Sequence, residues 1–159
     1  MSILAKKTRT LTEAAQVAAA IRKELKEHGI KCRATSSNFS MGDSVSVRVY
    51  DQPPAVMSII RGIACQYQAG RFDGMTDSYE YYKRDGITAK YVDVTNEISE
   101  GLRAAAVEYV ISKYAPLEEY ERRDIVNELI YSRYEGDKSS ADFWAEYLQT
   151  LENGHQEAA

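Results

Sequence analysis

The sequence predicts an α+β fold: a small antiparallel sheet of about three strands with helices on one face, followed by a C-terminal helical segment. Residues 44–50 (SVSVRVY) alternate valines with polar side chains, which is typical of a half-buried strand. Residues 11–28 carry apolar residues at helical spacing, and from Asn96 onward every apolar pattern has the helical period. We therefore expect an α+β domain over residues 1–95 and a helical segment over residues 96–159, packed on it or forming a small subdomain.

The first half of the chain is predicted to begin with a helix and two strands. The helix covers residues 11–28, and Gly29 follows it as a C-terminal stop. Its predicted buried face consists of Ala14, Ala18, Ile21 and Leu25. A short strand is expected over residues 31–35. The polar segment SSNFSMGD comes next, and residues 41–43 supply the turn chemistry that leads into the strand over residues 44–50.

A second helix and a third strand are predicted to follow. Pro53 and Pro54 suit the start of a helix, because the N–H that proline lacks would be unpaired there in any case. The predicted buried face of this helix consists of Val56, Ile59, Ile60, Ile63, Ala64 and Tyr67. Cys65, next to this face, is expected to be a small core residue. Gly70 ends the helix, and residues 87–94 (ITAKYVDV) form the predicted third strand.

Three more helices are predicted in the second half of the chain. The first has its apolar stripe over residues 98–110, the second spans roughly residues 118–134, and the third begins near Ser139. Ser139 and Asp142 have the spacing of a capping box. The final residues, ENGHQEAA, are expected to be frayed.

Charge is distributed unevenly along the chain. Residues 1–36 contain eight Lys/Arg and three Asp/Glu, whereas residues 117–159 contain four Lys/Arg and eleven Asp/Glu. An acidic segment of this kind can bind basic surfaces, including those that normally hold nucleic acid. The alternative is a solvated acidic helical face that serves only solubility.

Composition disfavours several classes of protein. No apolar run approaches the ~20 residues needed to span a bilayer, and the N-terminus lacks the apolar stretch of a secretory signal. Cys32 and Cys65 are far apart, which argues against a disulfide framework and a zinc site. His28 and His155 belong to no catalytic or metal-binding pattern. We therefore expect a cytoplasmic, non-enzymatic protein without membrane association, metal or cofactor.

Residues 70–86 (GRFDGMTDSYEYYKRDG) fit neither the helical nor the strand period. We interpret them as a long loop that covers the core, anchored by Phe72 and Met75, with a tight turn at Asp73. The tyrosines would seal the edge of the sheet. Because tyrosine is enriched at interfaces, the loop also provides a secondary candidate surface. That surface consists of Asp73, Asp77, Tyr79 and Tyr81.

Three other interpretations of this stretch stay open. Asp73, Asp77 and Glu80 could ligate a hard cation, although the alternation of a calcium loop is missing. Paired carboxylates could serve an enzyme as acid and base. A nucleic-acid platform would combine rings for stacking with cations for phosphates. Its members would be Tyr79, Tyr81, Tyr82, Lys83 and Arg84.

The run FSMGDSVSVRVYDQPP, the helix after it and the segment FDGMTDSYEYY form a combination that resembles a known family. It is similar to the large polyvalent protein-associated domains of phages and conjugative elements, in particular type twenty-nine. In that family a serine- and glycine-containing segment leads into an alternating strand, then a proline-started helix, then a Phe-Asp-Gly-Met segment followed by an Asp and tyrosines. The last positions correspond to Phe72, Asp73, Gly74, Met75, Asp77, Tyr79 and Tyr81. The resemblance covers roughly residues 12–94.

The resemblance implies a context rather than a chemistry. Domains of this family accompany proteins carried by mobile elements, and some of their neighbours are antirestriction factors. No catalytic residue is established for the family, so the resemblance supplies none for this chain.

The acidic and aromatic C-terminal segment is the strongest functional candidate in the sequence. Three short helices cannot bury all of its large aromatic side chains, and the remaining rings, surrounded by carboxylates, suit a surface that meets a basic protein. We expect this partner-binding surface to consist of Glu118, Glu119, Glu121, Asp124, Glu128, Tyr131 and Tyr134.

The leading hypothesis is a phage or mobile-element protein that inhibits a host defence nuclease, as an anti-CRISPR or antirestriction factor, by occluding its nucleic-acid groove. The partner is then a host defence protein or nuclease complex, and direct binding of nucleic acid is not expected; a homodimer stays open. The alternative is a nucleic-acid-binding accessory domain of a mobile element. That domain would use Lys6, Lys7, Arg9, Lys23 and Lys26.

Overall fold

A computed structural model describes residues 10–82, 85–133 and 136–157 of the chain. The helices and strands follow in the order α1 (Glu13–Glu27), β1 (Arg33–Phe39), β2 (Gly42–Tyr50), α2 (Pro54–Cys65), β3 (Gly70–Asp73), β4 (Ser78–Tyr81), β5 (Tyr91–Glu97), α3 (Glu100–Lys113), α4 (Glu119–Tyr131) and α5 (Lys138–Glu157). The predicted α+β class with C-terminal helices is confirmed.

A three-stranded sheet with the order β1-β2-β5 forms the centre of the first half of the chain. β1 and β2 pair antiparallel, with Arg33 opposite Arg48 and Phe39 opposite Gly42. At the other side of β2, the backbone N–H of Asp51 donates to the carbonyl of Glu97 at 3.0 Å, so the C-terminal ends of β2 and β5 are adjacent. The sheet is therefore mixed, and only its β1–β2 pair has the antiparallel arrangement that the sequence suggests.

Strand boundaries differ from the prediction where long-range pairing decides them. β1 continues through residues 36–39 (SSNF), because β2 offers backbone partners along this whole length. β5 begins at Tyr91 and not at residue 87. Just before it, Ala89 makes backbone hydrogen bonds to Tyr67 (2.9 Å) and Ala69 (2.8 Å).

The valines of β2 form the buried face of the sheet. Val45, Val47 and Val49 are fully buried, as their alternation predicts. α1 packs against β1, and its N-terminus is capped by Thr12, whose side chain accepts from the N–H of Ala15 at 3.3 Å. The buried residues of α1 are Ala14, Val17, Ala18, Ile21 and Leu25.

The buried face of α2 is rotated from the predicted one. Met57 is buried together with Ile60 and Ala64, whereas Ile59 is exposed. Ile60, Ile63 and Ala64 are buried as predicted, Met57 joins them because it lies three residues before Ile60, and Ile59 is at the exposed margin of this face. Cys65 is also exposed, and the expectation that it is a core residue is wrong.

Residues 70–81 form a β-hairpin, β3–β4, where the sequence suggests a long loop. Phe72 is 57% exposed and Met75 95% exposed, so the expectation that they anchor this segment is wrong. The turn at Asp73 is present, because its carboxylate accepts hydrogen bonds from the N–H of Met75 and the hydroxyl of Thr76, both at 2.9 Å. Strands of four residues are too short for their alternation to be recognised in the sequence.

The described residues fall into two compact units. The first contains the residues up to Val49 together with residues 61–95, and the second contains residues 50–60 and the chain from Asn96 onward. α3, α4 and α5 of the second unit share a hydrophobic core. Its buried members are Leu102, Ala106, Val110, Val126, Leu129, Ile130, Phe143 and Trp144.

The end of α4 and the start of α5 are held together by side-chain hydrogen bonds. The carbonyl of Leu129 lies in the last turn of α4, where a helix offers it no partner. It accepts from Ser140 Oγ at 2.7 Å and from Trp144 Nε1 at 3.1 Å. Asp137 accepts from Ser132 Oγ at 2.9 Å and from the N–H of Ser140 at 3.2 Å. Asp137, and not the predicted Ser139, therefore caps α5.

α5 is longer than the sequence suggests. It runs to Glu157 and includes most of the segment ENGHQEAA, which was expected to be frayed. Trp144 of this helix is buried, and Leu148 is partly exposed.

We expect Val47→Asp to unfold the first unit. The substitution places an unpaired charge on the fully buried face of β2, which costs several kcal/mol against a total stability of about 5–15 kcal/mol. Thermal melting followed by circular dichroism checks this. Ser46→Asp, on the opposite face of the same strand, is the matched control and should melt like the wild type. Equal melting of both variants would contradict the assignment of the buried face.

We expect Asp137→Ala to lower stability at neutral pH by about 1 kcal/mol, since it removes the cap of α5. The Ser132 hydroxyl and then the N–H of Ser140 hold the pKa of Asp137 below its ordinary value of 3.8. A carboxyl whose pKa is depressed in the folded state stabilises the fold above that ordinary value and ceases to do so as the pH falls. Urea denaturation should therefore show a difference between wild type and variant that shrinks below about pH 4. Glu152→Ala, at an exposed position of α5, should show no such pH dependence.

Candidate functional site

Four side chains form an exposed acidic and aromatic stripe along α4. Val126, Leu129 and Ile130 face the core of the second unit, so the residues on the other side of the helix face solvent. Tyr120 is 60% and Tyr131 47% exposed. We define the α4 outer face as Tyr120, Asp124, Glu128 and Tyr131.

The structure separates the predicted partner-binding residues into two groups. Asp124, Glu128 and Tyr131 lie on the α4 outer face, and Glu119 is exposed in the first turn. Glu121 instead takes part in a capping box, because its Oε2 accepts from the N–H of Glu118 at 3.1 Å. Glu118 and Glu121 therefore help to begin the helix. Tyr134 lies outside the described residues.

The groups of the α4 outer face are only loosely engaged. The hydroxyl of Tyr131 accepts from Arg103 Nη2 at 3.4 Å. Asp124 forms an ion pair with Arg123 at 3.6 Å, and both side chains are more than half exposed. Exposed pairs of this kind contribute little to stability. These side chains can therefore be rearranged by a partner at a small cost.

A shallow apolar groove of about 250 Å³ lies between the end of α3 and the start of α4. Ile111 and Tyr114 contribute exposed apolar surface to it. At its other side, Arg122 donates to the carbonyl of Leu117 at 3.3 Å. The groove lies beside the acidic first turn of α4 and offers room for an apolar side chain of a partner. It is lined by Val110, Ile111, Tyr114, Ala115, Pro116, Leu117 and Arg122.

The first unit carries an aromatic cluster of its own. The ring of Tyr79 packs edge-on against Tyr81 (4.8 Å between centroids) and Tyr91 (5.5 Å). Tyr91 in turn stacks with Phe39 at 6.3 Å. Tyr81 is 67% exposed, and Tyr79 is half-buried, with burial as the main cause of its raised pKa. We define the aromatic cluster as Phe39, Tyr79, Tyr81 and Tyr91.

Lys90 and two glycines position this cluster. The ammonium of Lys90 lies 5.0 Å from the centroid of Tyr79 and 5.6 Å from that of Tyr91, and donates to the carbonyl of Met41 at 2.9 Å. A Cβ at Gly42 would approach the Lys90 side chain to 2.6 Å, and one at Gly70 would lie 2.0 Å from a backbone oxygen of β4. The approach at Gly70 requires glycine because the neighbouring atom belongs to the backbone, whereas at Gly42 the Lys90 side chain would have to move.

Half of the secondary candidate surface belongs to the cluster, and half serves the hairpin turn. Tyr79 and Tyr81 are cluster members. The N–H of Met75 and then the Thr76 hydroxyl lower the pKa of Asp73, so its carboxylate is already used within the turn. Asp77 is exposed and has a left-handed backbone (φ 50°). Lys83 and Arg84, which a nucleic-acid platform would require, lie outside the described residues.

Sequence reasoning missed Phe39, Lys90 and Tyr91. Tyr91 lies in a strand whose first residues alternate between exposed and partly buried, so its exposed side could have been predicted once the strand was placed. In β1 only Ala34 is buried, so no alternation marks Phe39. The contact between Phe39 and Tyr91 could not be predicted from the sequence, because it depends on the pairing order of the sheet. Among the residues that the structure describes, no three His, Cys, Asp or Glu side chains cluster as a metal site would require.

Residues 12–109 match the family described as Large polyvalent protein associated domain 29. The resemblance stated from the sequence is confirmed, and the match extends beyond residue 94 into α3. No curated protein and no solved structure matches the chain. None of the helices in the described part of the chain has both the length and the apolar character that crossing a bilayer requires.

We expect the melting temperature to be unchanged by calcium, magnesium, zinc or a chelator, because the Asp73 carboxylate is engaged by the turn. A ligand at about 100 times its dissociation constant would add roughly 2.7 kcal/mol of stability, which a thermal melt detects. Asp77→Asn, which leaves the turn hydrogen bonds of Asp73 in place, is the matched variant. A rise with one of these ions that disappears in this variant would contradict the expectation.

Proposed function

The chain belongs to the Large polyvalent protein associated domain 29 family, whose members are associated with phages and mobile elements, and from this premise we propose that it inhibits a host defence nuclease. The inhibitor acts by binding and not by catalysis. Its target is a CRISPR effector complex or a restriction enzyme. Acidic side chains of the inhibitor enter the basic groove where the target holds nucleic acid.

The observation that carries this proposal is the α4 outer face. Asp124 and Glu128 are one helical turn apart and are flanked by exposed rings at either end of the stripe. Two carboxylates at this spacing present negative charge in a row, as successive phosphates do. The surrounding segment, residues 117–159, contains eleven Asp/Glu against four Lys/Arg, so the long-range field attracts a basic partner.

The rings and the carboxylates of the α4 outer face affect different steps of binding. Charge complementarity mainly accelerates association and selects a basic partner. Exposed tyrosines supply apolar contact area at low conformational cost and mainly slow dissociation. Tyr120 is the better anchor of the two, because Tyr131 already accepts a hydrogen bond from Arg103.

The pKa shifts of Asp73 and Asp137 do not have the direction that a general acid requires. Asp73 and Asp137 both have lowered pKa values, caused first by the N–H of Met75 and by the Ser132 hydroxyl, respectively. A general acid that works near neutral pH needs the opposite, a raised pKa. Both carboxylates therefore suit turn and cap positions.

The alternative function, a nucleic-acid-binding accessory domain, has its own observation. Lys23 and Lys26 are exposed on α1, one turn apart. Its other expected contacts, Lys6, Lys7 and Arg9, lie outside the described residues. The two functions place binding on different helices, so matched charge reversals separate them.

We expect the chain to protect phage or plasmid DNA in cells that carry a susceptible defence nuclease. Asp124→Lys/Glu128→Lys should abolish protection and slow association with the purified nuclease complex, with a strong dependence on salt. Tyr120→Ala should speed dissociation instead. Plaque counts and surface plasmon resonance on the same variants measure these effects. Glu121 is left unchanged because its substitution would disturb the start of α4.

Lys23→Glu/Lys26→Glu is the control, since it also reverses two charges on one helix face. It should retain protection, and the wild type should not shift single-stranded or duplex DNA in a gel at physiological salt. A wild-type shift that disappears in the Lys23/Lys26 variant would replace the inhibitor function by the accessory-domain function.

A further inference from the structure

β1 is an edge strand whose outward backbone groups can be assigned. Among the described residues, the sheet order β1-β2-β5 leaves one side of β1 without a neighbouring strand. Phe39 and Gly42 close the turn between β1 and β2, so Phe39 directs its backbone groups toward β2. Antiparallel strands alternate the direction of these groups from residue to residue. The residues that point outward are therefore Ala34, Ser36 and Asn38.

The contacts of α1 agree with this assignment. Arg22 Nη1 donates to the carbonyl of Ala34 at 3.1 Å, which shows that this carbonyl is accessible from outside the sheet. Ser36 and Asn38 are exposed. Within the described part of the chain, no backbone–backbone hydrogen bond joins Ser36 or Asn38 to a segment other than β2.

Natural edge strands usually carry a feature that prevents pairing with another chain. Such features are charged side chains, proline, a bulge, or a covering helix or loop. Arg33, at the start of β1, is charged, whereas residues 34–39 (ATSSNF) contain no charge and no proline, and their pairing with β2 is continuous, without a bulge. α1 packs against β1, but Ser36 and Asn38 stay exposed. The edge therefore keeps the properties that permit a further strand to be added.

We propose that β1 is the dimer interface of this protein, where it pairs antiparallel with β1 of a second copy. Ser36 lies opposite Ser36 of the second copy, and Ala34 lies opposite its Asn38. All these residues point outward, so each pair can exchange two backbone hydrogen bonds. The carbonyl of Ala34 has two lone pairs, so it can accept from Asn38 while Arg22 stays bound. The two three-stranded sheets then form one continuous sheet with two-fold symmetry.

The side chains in this register favour a second copy over an unrelated strand. Arg33 falls opposite Phe39 of the second copy, where a guanidinium can lie on the ring, and Thr35 falls opposite Ser37. The two Arg33 side chains are at opposite ends of the interface, so no like charges meet across it. Because of the two-fold axis, each of these contacts occurs twice.

Dimerisation goes beyond the proposed inhibition and does not depend on it. A dimer would present two α4 outer faces, and a target with two basic sites would then be bound with avidity. Loss of dimers leaves the single α4 outer face unchanged, so the two proposals fail independently.

Amide hydrogen exchange by NMR at increasing protein concentration tests the interface residue by residue. The N–H groups of Ser36 and Asn38 should become protected as dimers form, while those of Thr35 and Ser37, which already bond to β2, should be protected throughout. A protein that sediments as a monomer up to millimolar concentration would overturn the proposal. So would a dimer in which Ser36 and Asn38 still exchange freely.

Two substitutions of Phe39 that introduce opposite charges test the register. Phe39→Glu and Phe39→Lys both remove the ring that contacts Tyr91, so they are matched for this loss. The carboxylate introduced by Phe39→Glu would face Arg33 of the second copy, and the ammonium introduced by Phe39→Lys would face the same cation. The dimer dissociation constant from sedimentation equilibrium should be about 2- to 30-fold lower for Phe39→Glu than for Phe39→Lys. Equal constants, or the reverse order, would overturn this register.

Ser36→Pro tests the backbone contribution. The outward N–H of Ser36 is not used by β2, so proline removes one donor from the interface and none from the β1–β2 ladder. The variant should keep the wild-type circular dichroism spectrum and remain monomeric. A folded Ser36→Pro variant that dimerises like the wild type would contradict the proposed pairing, and the Phe39 variants decide the question if this variant does not fold.

Discussion

The alternation of three valines along β2 is the constraint on which the first unit depends. Val45, Val47 and Val49 are fully buried, and a shift of one residue would bring Ser46 and Arg48 into the core. The register of β1 follows, because each of its residues pairs with a fixed residue of β2. The same constraint turns Ser44, Ser46 and Arg48 to the other face, together with Thr35 and Ser37 of β1. It also places Phe39 beside Gly42, at the end of the sheet where the aromatic cluster forms.

The carbonyl of Leu129 has a comparable role in the second unit. It is a backbone acceptor that α4 cannot satisfy, and an unpaired polar group in a core costs about 1–3 kcal/mol. Ser140 and Trp144 both donate to it, which fixes the start of α5 against the end of α4. Trp144 is therefore fixed both by the packing of its ring and by the hydrogen bond of its N–H. Tyr120 and Tyr131, on the other side of α4, remain exposed.

Both proposals for this protein rest on groups that packing leaves unused. The α4 outer face combines carboxylates with exposed rings, and the edge of β1 combines outward backbone groups with an uncharged sequence. The first suits a basic surface, and the second suits another strand. The lowered pKa values of Asp73 and Asp137, in contrast, belong to carboxylates that already have partners within the fold.

The sequence by itself determined the fold class, the faces of α1 and β2, the family and the acidic character of α4, because periodicity and composition are local properties. Only the tertiary structure decided that β5 runs parallel to β2, that β1 continues through residues 36–39, and that Phe72 and Met75 are exposed. It also decided that Glu121 is a cap while Asp124 is accessible. These features depend on pairing between residues distant in the chain, and on which side chains a neighbouring element covers, neither of which leaves a period in the sequence.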